Sequence, residues 1–343
     1  MSLPQAPAEL PGRTTGQMFR SVAGYGVLVA LMLISPLFVF VPAALFQCGI
    51  RNGKRVVWPA LAVGIALAAF VTMQSAHAPG TAANDVQMAY SYLLALVLAV
   101  AVPAMLVLPL VARGESFGRV LMIALIASVV GLAATEVFMR ATMGFSPYAE
   151  QVLKATQTSQ QFITVYEKAG MPADAVHILK RWIEFGASCL PAFFMIDITI
   201  VFVLSMVMFG RVRAWRRFVE TRQGAPAAAA YLFRNLSLPD WLLFAFIAGG
   251  LAPLATGVLQ KVAANILAVV TFLYLLQGLA IFRSMLAAVG AGFGGVMFGY
   301  LLLAFLTMTG IAPLLLSLAG LFDSFFDFRH FKRKDHTDES HPD

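Results

Sequence analysis

A few ionisable side chains lie inside otherwise apolar stretches, where a charge is costly and therefore informative. Asp197, within MIDIT, lies about midway between Trp182 and Gly210 in a long apolar run. Glu136 and Arg140 stand four residues apart, a spacing that allows an ion pair on one face of a helix. Two interpretations of Asp197 stay open. It is either a functional carboxylate at membrane depth or a protonated or hydrogen-bonded packing group between helices.

Together these groups predict a small-solute site. Such a site needs polar groups that converge from several helices within apolar walls. The candidate ligand-binding residues are Asp197, Glu136, Arg140, Glu184 and Asn265, with Asp197 the deepest. Three aromatic residues could close over a ring-shaped ligand, although an interfacial aromatic belt explains their position equally well. These are Tyr90, Tyr92 and Trp182.

A glycine-rich stretch, VGAGFGG at 289–295, has the spacing of a dinucleotide-binding loop. That loop requires a carboxylate about 20 residues later for the ribose, and residues 284–322 contain no charge. Glycines four residues apart instead predict close packing between membrane helices. The predicted packing pairs are Gly290 with Gly294 and Gly295 with Gly299.

Other catalytic patterns are missing or incomplete. No phosphate-binding G-x-x-x-x-G-K-[ST] loop and no H-E-x-x-H zinc motif occurs. GASC at 186–189 resembles the G-x-S of intramembrane serine proteases, but every histidine after Ser188 lies in the C-terminal tail, so a base on a later span is missing. Cys48 and Cys189 lie in separate apolar segments without metal-ligand spacing. We therefore expect no enzyme activity, no metal and no cofactor.

The composition indicates the setting of these residues. Hydrophobic residues make up 60% of the chain and charged residues 12%, and the mean hydropathy is +0.81. Several uncharged runs exceed the roughly 20 residues that cross a bilayer. The net charge of +7 comes from basic residues clustered between apolar runs, which orient membrane proteins and do not indicate nucleic acid. We predict an all-α polytopic transmembrane helix bundle in a lipid bilayer.

We expect about 8–10 spans, with the terminal ones short or broken. The run 21–50 is predicted to be a hairpin broken at Pro36. The run 284–322 would be about 58 Å long as one helix, so it is predicted to enter and return with an interruption near Gly310 and Pro313. The remaining spans are predicted near 56–75, 88–112, 117–140, 182–209, 240–258 and 262–282.

The loop charges predict that both termini are cytoplasmic, together with the basic loop 210–239. The insertion between the two transmembrane halves is then extracytoplasmic. The predicted divisions are an N-terminal tail (1–20), N-terminal spans (21–140), an outer insertion (141–181), C-terminal spans (182–328) and a disordered tail (329–343).

The outer insertion, 141–181, contains an amphipathic helical pattern. Ser146 followed by Pro147 is typical of a helix start, and Gly170 is typical of a helix end. A second helix is expected to follow and to continue into the span that begins at Trp182.

Four stretches carry a resemblance to a known family: SCLPAFF (188–194), RNLSLPDWLLFAFI (234–247), NILAVVTFLYLLQGLAIF (265–282) and GLFDSFFDFR (320–329). Together they resemble the YybS-like family of predicted bacterial membrane proteins. That family is distantly similar to the S components of energy-coupling-factor transporters.

The resemblance implies a subunit that captures a small solute at its outer face without an ATPase of its own. It also implies a separate transmembrane scaffold and ABC-type ATPase partners. Gly26 and Ala30 on the first span correspond to the surface where such components meet their scaffold. The alternative is a non-transporting membrane scaffold or regulator whose basic inner loop and tail recruit cytoplasmic proteins.

Overall fold

The computed structural model of the chain describes residues 15–76, 83–211, 231–290, 292–308 and 310–326, and every regular element in these ranges is helical. Six helices are long and apolar enough to cross a bilayer, and they confirm the predicted all-α polytopic bundle. The predicted number of 8–10 spans was higher because it counted short and broken segments. In the structure, these segments are helices that are too short to cross a bilayer alone. The six are Thr15–Leu33, Lys54–Ser75, Asp85–Arg113, Phe117–Met143, Leu190–Arg211 and Gly257–Ala287.

The first apolar run is broken at Pro36, as predicted. Helix α1 (Thr15–Leu33) is followed by a 3-10 helix (Pro36–Phe40) and by α2 (Val41–Asn52). The Ser35 Oγ caps the break by accepting a hydrogen bond from Leu37 N at 3.3 Å. Because α2 is only about 18 Å long, it does not cross a bilayer alone. It lies in the core of the bundle, with Val41, Leu45 and Phe46 buried among its neighbours.

Helix α3 (Lys54–Ala76) packs closely along α1. A Cβ atom added at Gly26 would lie 2.7 Å from Val63 Cγ1, and one added at Gly64 would lie 2.8 Å from Val29 Cγ1. Gly26 and Ala30 are both buried. Gly26, which the resemblance assigns to a surface for an external scaffold, therefore packs against α3 of the same chain.

A proline reshapes the next span. Helix α4 (Ala83–Leu96) continues through one π-helical turn (Val97–Ala101) into α5 (Val102–Arg113). Pro103 lacks an N–H, and its ring displaces the carbonyl four residues earlier, that of Ala99. Ser128 on α6 (Phe117–Met143) donates its hydroxyl to this carbonyl oxygen at 2.6 Å. The displaced carbonyl thus fixes α6 against the π-helical turn.

The insertion forms a helical hairpin at one end of the bundle. Helix α7 (Pro147–Lys168) begins where predicted, since the Ser146 Oγ accepts a hydrogen bond from Ala149 N at 3.1 Å. It ends before Gly170, which has a positive φ of 83°. Helix α8 (Ala173–Ser188) then packs against α7.

Helix α8 continues past Trp182, as expected, but the continuity ends at Cys189. Helix α8 ends at Ser188, and α9 (Leu190–Arg211) begins after a break at Cys189. The cause is Pro191, which lacks the N–H that would donate to the carbonyl of Ala187 in a continuous helix. The membrane span is therefore shorter than the predicted 182–209 at its first end.

The C-terminal part contains α10 (Leu242–Gly250), α11 (Gly257–Ala288), α12 (Phe293–Met308) and α13 (Ile311–Phe326). Helices α12 and α13 are bent by 111° relative to each other. Gly310, whose φ is 74°, lies at the break. The predicted interruption near Gly310 is confirmed.

Of the glycines predicted to form packing pairs at and before α12, Gly299 lies close to another helix, whereas Gly290 and Gly294 do not. Gly290 has a positive φ of 69° at the end of α11, and no atom lies within 4 Å of a Cβ placed on Gly294. Gly295 is exposed, whereas a Cβ on Gly299 would lie 3.2 Å from Leu286 Cδ1. Closer backbone approaches occur at other glycines, where an added Cβ would collide with a carbonyl oxygen: Gly118, Gly131, Gly278 and Gly320.

Candidate ligand pocket beside Asp197

A pocket of about 420 Å³ opens between α4, α6, α7 and α9, with the 3-10 helix Pro36–Phe40 at its inner end. One end lies beside the turn between α6 and α7. The other end reaches the middle of the bundle. Its polar lining residues are Ser91, Tyr92, Thr135, Glu136, Tyr148, Gln151 and Asp197.

Two irregular segments shape the deep end of the pocket. The 3-10 helix contributes Phe38, whose ring meets Tyr92 edge-on at a centroid distance of 6.3 Å. The π-helical turn contributes Ala99 and Val100. Both segments exist because prolines interrupt regular helix, Pro36 in one case and Pro103 in the other. π-Helical turns within α-helices occur frequently at functional sites.

Asp197 lies on α9, about 10 Å along the helix from its first residue. It lines the pocket, and its side chain is exposed there. Among the described residues, no hydrogen bond or salt bridge involves Asp197, so the hydrogen-bonded form of the packing interpretation lacks the helix–helix contact that it requires. A carboxylate at this depth without a partner is costly.

Glu136, in contrast, is held by several partners. Its Oε1 accepts from Arg140 Nε at 2.6 Å and from Ser146 Oγ at 2.5 Å, and its Oε2 accepts from Tyr148 N at 3.2 Å. The predicted i,i+4 pair with Arg140 is thus present. This network joins the end of α6 to the start of α7, and it places Tyr148 on the pocket wall. Arg140 itself does not line the pocket, and its side chain is 60% exposed.

Two other predicted ligand residues lie away from the pocket lining. Asn265 on α11 accepts from Ala192 N at 2.8 Å and donates to Ser188 O at 2.9 Å. It therefore satisfies backbone groups on both sides of the break between α8 and α9. Glu184 is exposed on α8. The pocket brings together Asp197 and Glu136, with Arg140 next to Glu136, and leaves Asn265 and Glu184 outside.

The three predicted aromatic residues also divide into one that lines the pocket and two that do not. Tyr92 lines the pocket, whereas Tyr90 and Trp182 do not. Trp182 is 67% exposed on α8 and meets Phe185 edge-on at 6.3 Å. Tyr148 and Phe194, which were not predicted, supply aromatic lining instead. In the sequence, a proline marks the helix start near each residue: Pro147 for α7 and Pro191 for α9. No local sequence pattern predicts that these two helix starts lie on the same pocket.

A second polar group is buried on the other side of the bundle. Gln277 on α11 is 1% exposed, accepts from Leu238 N at 3.1 Å and donates to Asp323 Oδ2 at 3.0 Å. It connects α11, α13 and the segment before α10. Asp323, at 9% exposure, was not singled out from the sequence, although it is the first charge after the long uncharged run. These contacts are those of a packing group.

Comparison with protein families places the chain. A family model described as "Predicted membrane protein (DUF2232)" matches residues 25–324, so the chain belongs to this family. Neither the curated proteins nor the solved structures give a match. The family assignment supports an integral membrane protein, whereas the narrower resemblance to YybS-like proteins and to S components remains a prediction.

Proposed function

We propose that this member of the DUF2232 family is an integral membrane protein of transport type that binds a small solute in the pocket beside Asp197. The observation that carries the proposal is the carboxylate of Asp197, which faces the pocket without a partner among the described residues. An ionisable residue within a membrane-spanning helix is costly to bury, and such residues usually belong to functional sites.

The shape of the pocket is compatible with solute binding. Small-molecule sites are typically clefts of roughly 300–1,000 Å³, mostly apolar with a few convergent polar groups. The pocket, at about 420 Å³, lies within that range. Its walls are largely aliphatic and aromatic, and its polar residues come from three helices and the start of a fourth. We propose binding without catalysis, since the hydroxyls of Ser91 and Thr135 in the described lining donate to backbone carbonyls and not to a base that could activate them as nucleophiles.

The charge distribution supports an outward-facing pocket. The ends of α2, α5 and α9 lie together, because Phe46 meets Phe209 at 5.6 Å and Gly49 faces Leu108. These three ends carry basic residues, as does the start of α3; they are Arg51, Arg113, Arg211, Lys54 and Arg55. The positive-inside rule makes this end cytoplasmic. The α7–α8 end is then extracytoplasmic, in a bacterial inner membrane with both termini inside.

Active uptake would require partner subunits. The chain has no phosphate-binding loop for ATP, so energy would come from ABC-type ATPases acting through a scaffold. That scaffold would contact a surface other than the side of Gly26 that packs against α3. The rival proposal, a non-transporting scaffold or regulator, places the function at the basic inner face. Co-purification in mild detergent distinguishes the two: an ATPase pair with its scaffold supports transport, and only non-transport proteins support the rival.

Native mass spectrometry of the full chain tests the proposal. The wild-type protein is expected to retain a small molecule, and Asp197→Asn is expected to lose it. Glu184→Gln is the matched control, because it removes an exposed carboxylate outside the pocket. A wild-type protein without adduct, or an Asp197→Asn variant that retains it fully, would overturn the proposal.

A further inference from the structure

The charge of the pocket defines the class of its ligand. Two carboxylates line it, Asp197 and Glu136. The Glu136 charge is balanced by Arg140, whose Nε lies 2.6 Å from Glu136 Oε1. No basic side chain is among the described lining residues. When Asp197 is ionised, the pocket therefore carries one negative charge that no basic lining residue balances.

The remaining lining favours an organic body next to that charge. Four aromatic rings belong to it, those of Phe38, Tyr92, Tyr148 and Phe194. The negative face of an aromatic ring attracts a cation, and this attraction strengthens when the cation is desolvated. Aromatic walls around one carboxylate are the chemistry that recognises an ammonium group attached to an apolar body.

From these observations we infer that the pocket takes a monovalent organic cation, an amine or quaternary ammonium with an apolar or aromatic body. The inference rests on the proposed function and names its substrate class. The cation would neutralise Asp197 in a low-dielectric site, which supplies the partner that the carboxylate lacks.

Other ligand classes fit less well. An anion would meet the Asp197 charge without a basic residue to balance it. A neutral molecule would leave the carboxylate unpaired in an apolar site. A divalent metal ion takes several oxygen ligands, and the described residues contain no group of three or more His, Cys, Asp or Glu side chains that could hold one.

The test uses three probes of similar size and different charge: phenethylammonium, 2-phenylethanol and phenylacetate. Binding to the purified full chain is measured by calorimetry. The cation is expected to bind at least about tenfold more tightly than the alcohol, because a charge-assisted contact is stronger than a neutral one. Asp197→Asn should remove this preference, and Glu184→Gln should keep it. Ala95→Phe, which fills the pocket from α4, should weaken the binding of the cation.

The outcomes separate this inference from the proposed function. Equal or tighter binding of the alcohol or of phenylacetate, lost in Ala95→Phe, overturns the cation but keeps a solute site. Tight binding of the cation that persists in Asp197→Asn also overturns the inference. If none of the probes binds and native mass spectrometry finds no retained molecule, both proposals fail. Thermal unfolding of each variant shows whether it is folded.

Discussion

Two carboxylates line the same pocket and have opposite surroundings. Glu136 accepts hydrogen bonds from Arg140, Ser146 and the Tyr148 backbone, so its charge contributes to the stability of the α6–α7 turn. Asp197 makes no such bond within the described part of the chain. The first residue therefore positions the pocket wall, and the second is the group that we propose binds the ligand.

This contrast predicts opposite effects on stability. Glu136→Gln should lower the free energy of unfolding by about 1–3 kcal/mol, because charge-assisted bonds are weakened and donors are left unpaired. Asp197→Asn should leave the melting temperature unchanged or raise it, since it removes a costly charge without breaking a hydrogen bond. Thermal unfolding in detergent, without added solute, measures both. A larger loss in Asp197→Asn than in Glu136→Gln would contradict these assignments.

At the residue scale, the sequence predicts those site residues that can be recognised from their neighbours along the chain. Asp197 is evident because it interrupts an apolar run, and the Glu136–Arg140 pair follows from helical spacing. Asn265 could not be assigned in this way, because its partners Ala192 and Ser188 lie far away along the chain. A polar residue in an apolar helix indicates that a partner exists, but not where it lies.

At the scale of elements, prolines and glycines determine which surfaces meet. Pro103 produces the π-helical turn, and Gly131 on α6 allows that turn to approach, since an added Cβ would collide with the Leu98 carbonyl oxygen. The pocket floor depends on this contact. The sequence predicts the breaks at Pro36 and Gly310, whereas Pro191 was a missed signal for the break between α8 and α9.

The helix contact at Gly131 can be tested with a matched pair of substitutions. Gly131→Ala should destabilise the protein by about 1–3 kcal/mol through overpacking. Gly24→Ala on α1 should be neutral or stabilising by up to about 1 kcal/mol, because no atom lies within 4 Å of its Cβ position and alanine favours the helix. Melting temperatures in detergent measure the difference. Equal effects of the two substitutions would contradict the close approach at Gly131.

At the scale of the whole molecule, composition predicts the class of protein, whereas the lengths and contacts of the helices identify the candidate spans. Helix α2 looks like half of a hairpin in the sequence, but it is a buried core helix between α1, α3, α5 and α9. Likewise, α10 is too short to cross alone. Hydropathy measures apolar length and does not distinguish contact with lipid from contact with protein.

Orientation in the membrane is a prediction at the same scale. Both native cysteines are buried, so single exposed cysteines can report their side of the membrane. Thr158→Cys, exposed on α7, should react with a membrane-impermeant thiol reagent in intact cells. Ser340→Cys in the tail should react only after the membrane is opened. The reverse labelling pattern would show that the protein has the opposite orientation in the membrane.

The central claim is that the Asp197 pocket is open to solute from the α7–α8 side, and accessibility at Ala95 tests it most directly. Ala95 lines the pocket, whereas Val130 on α6 is 63% exposed and faces away from it. Ala95→Cys should react with a small impermeant thiol reagent from outside the cell and be protected by a bound solute. Val130→Cys should remain unreactive in lipid. An unreactive Ala95→Cys in a folded protein, or equal reaction at both positions, would contradict the account.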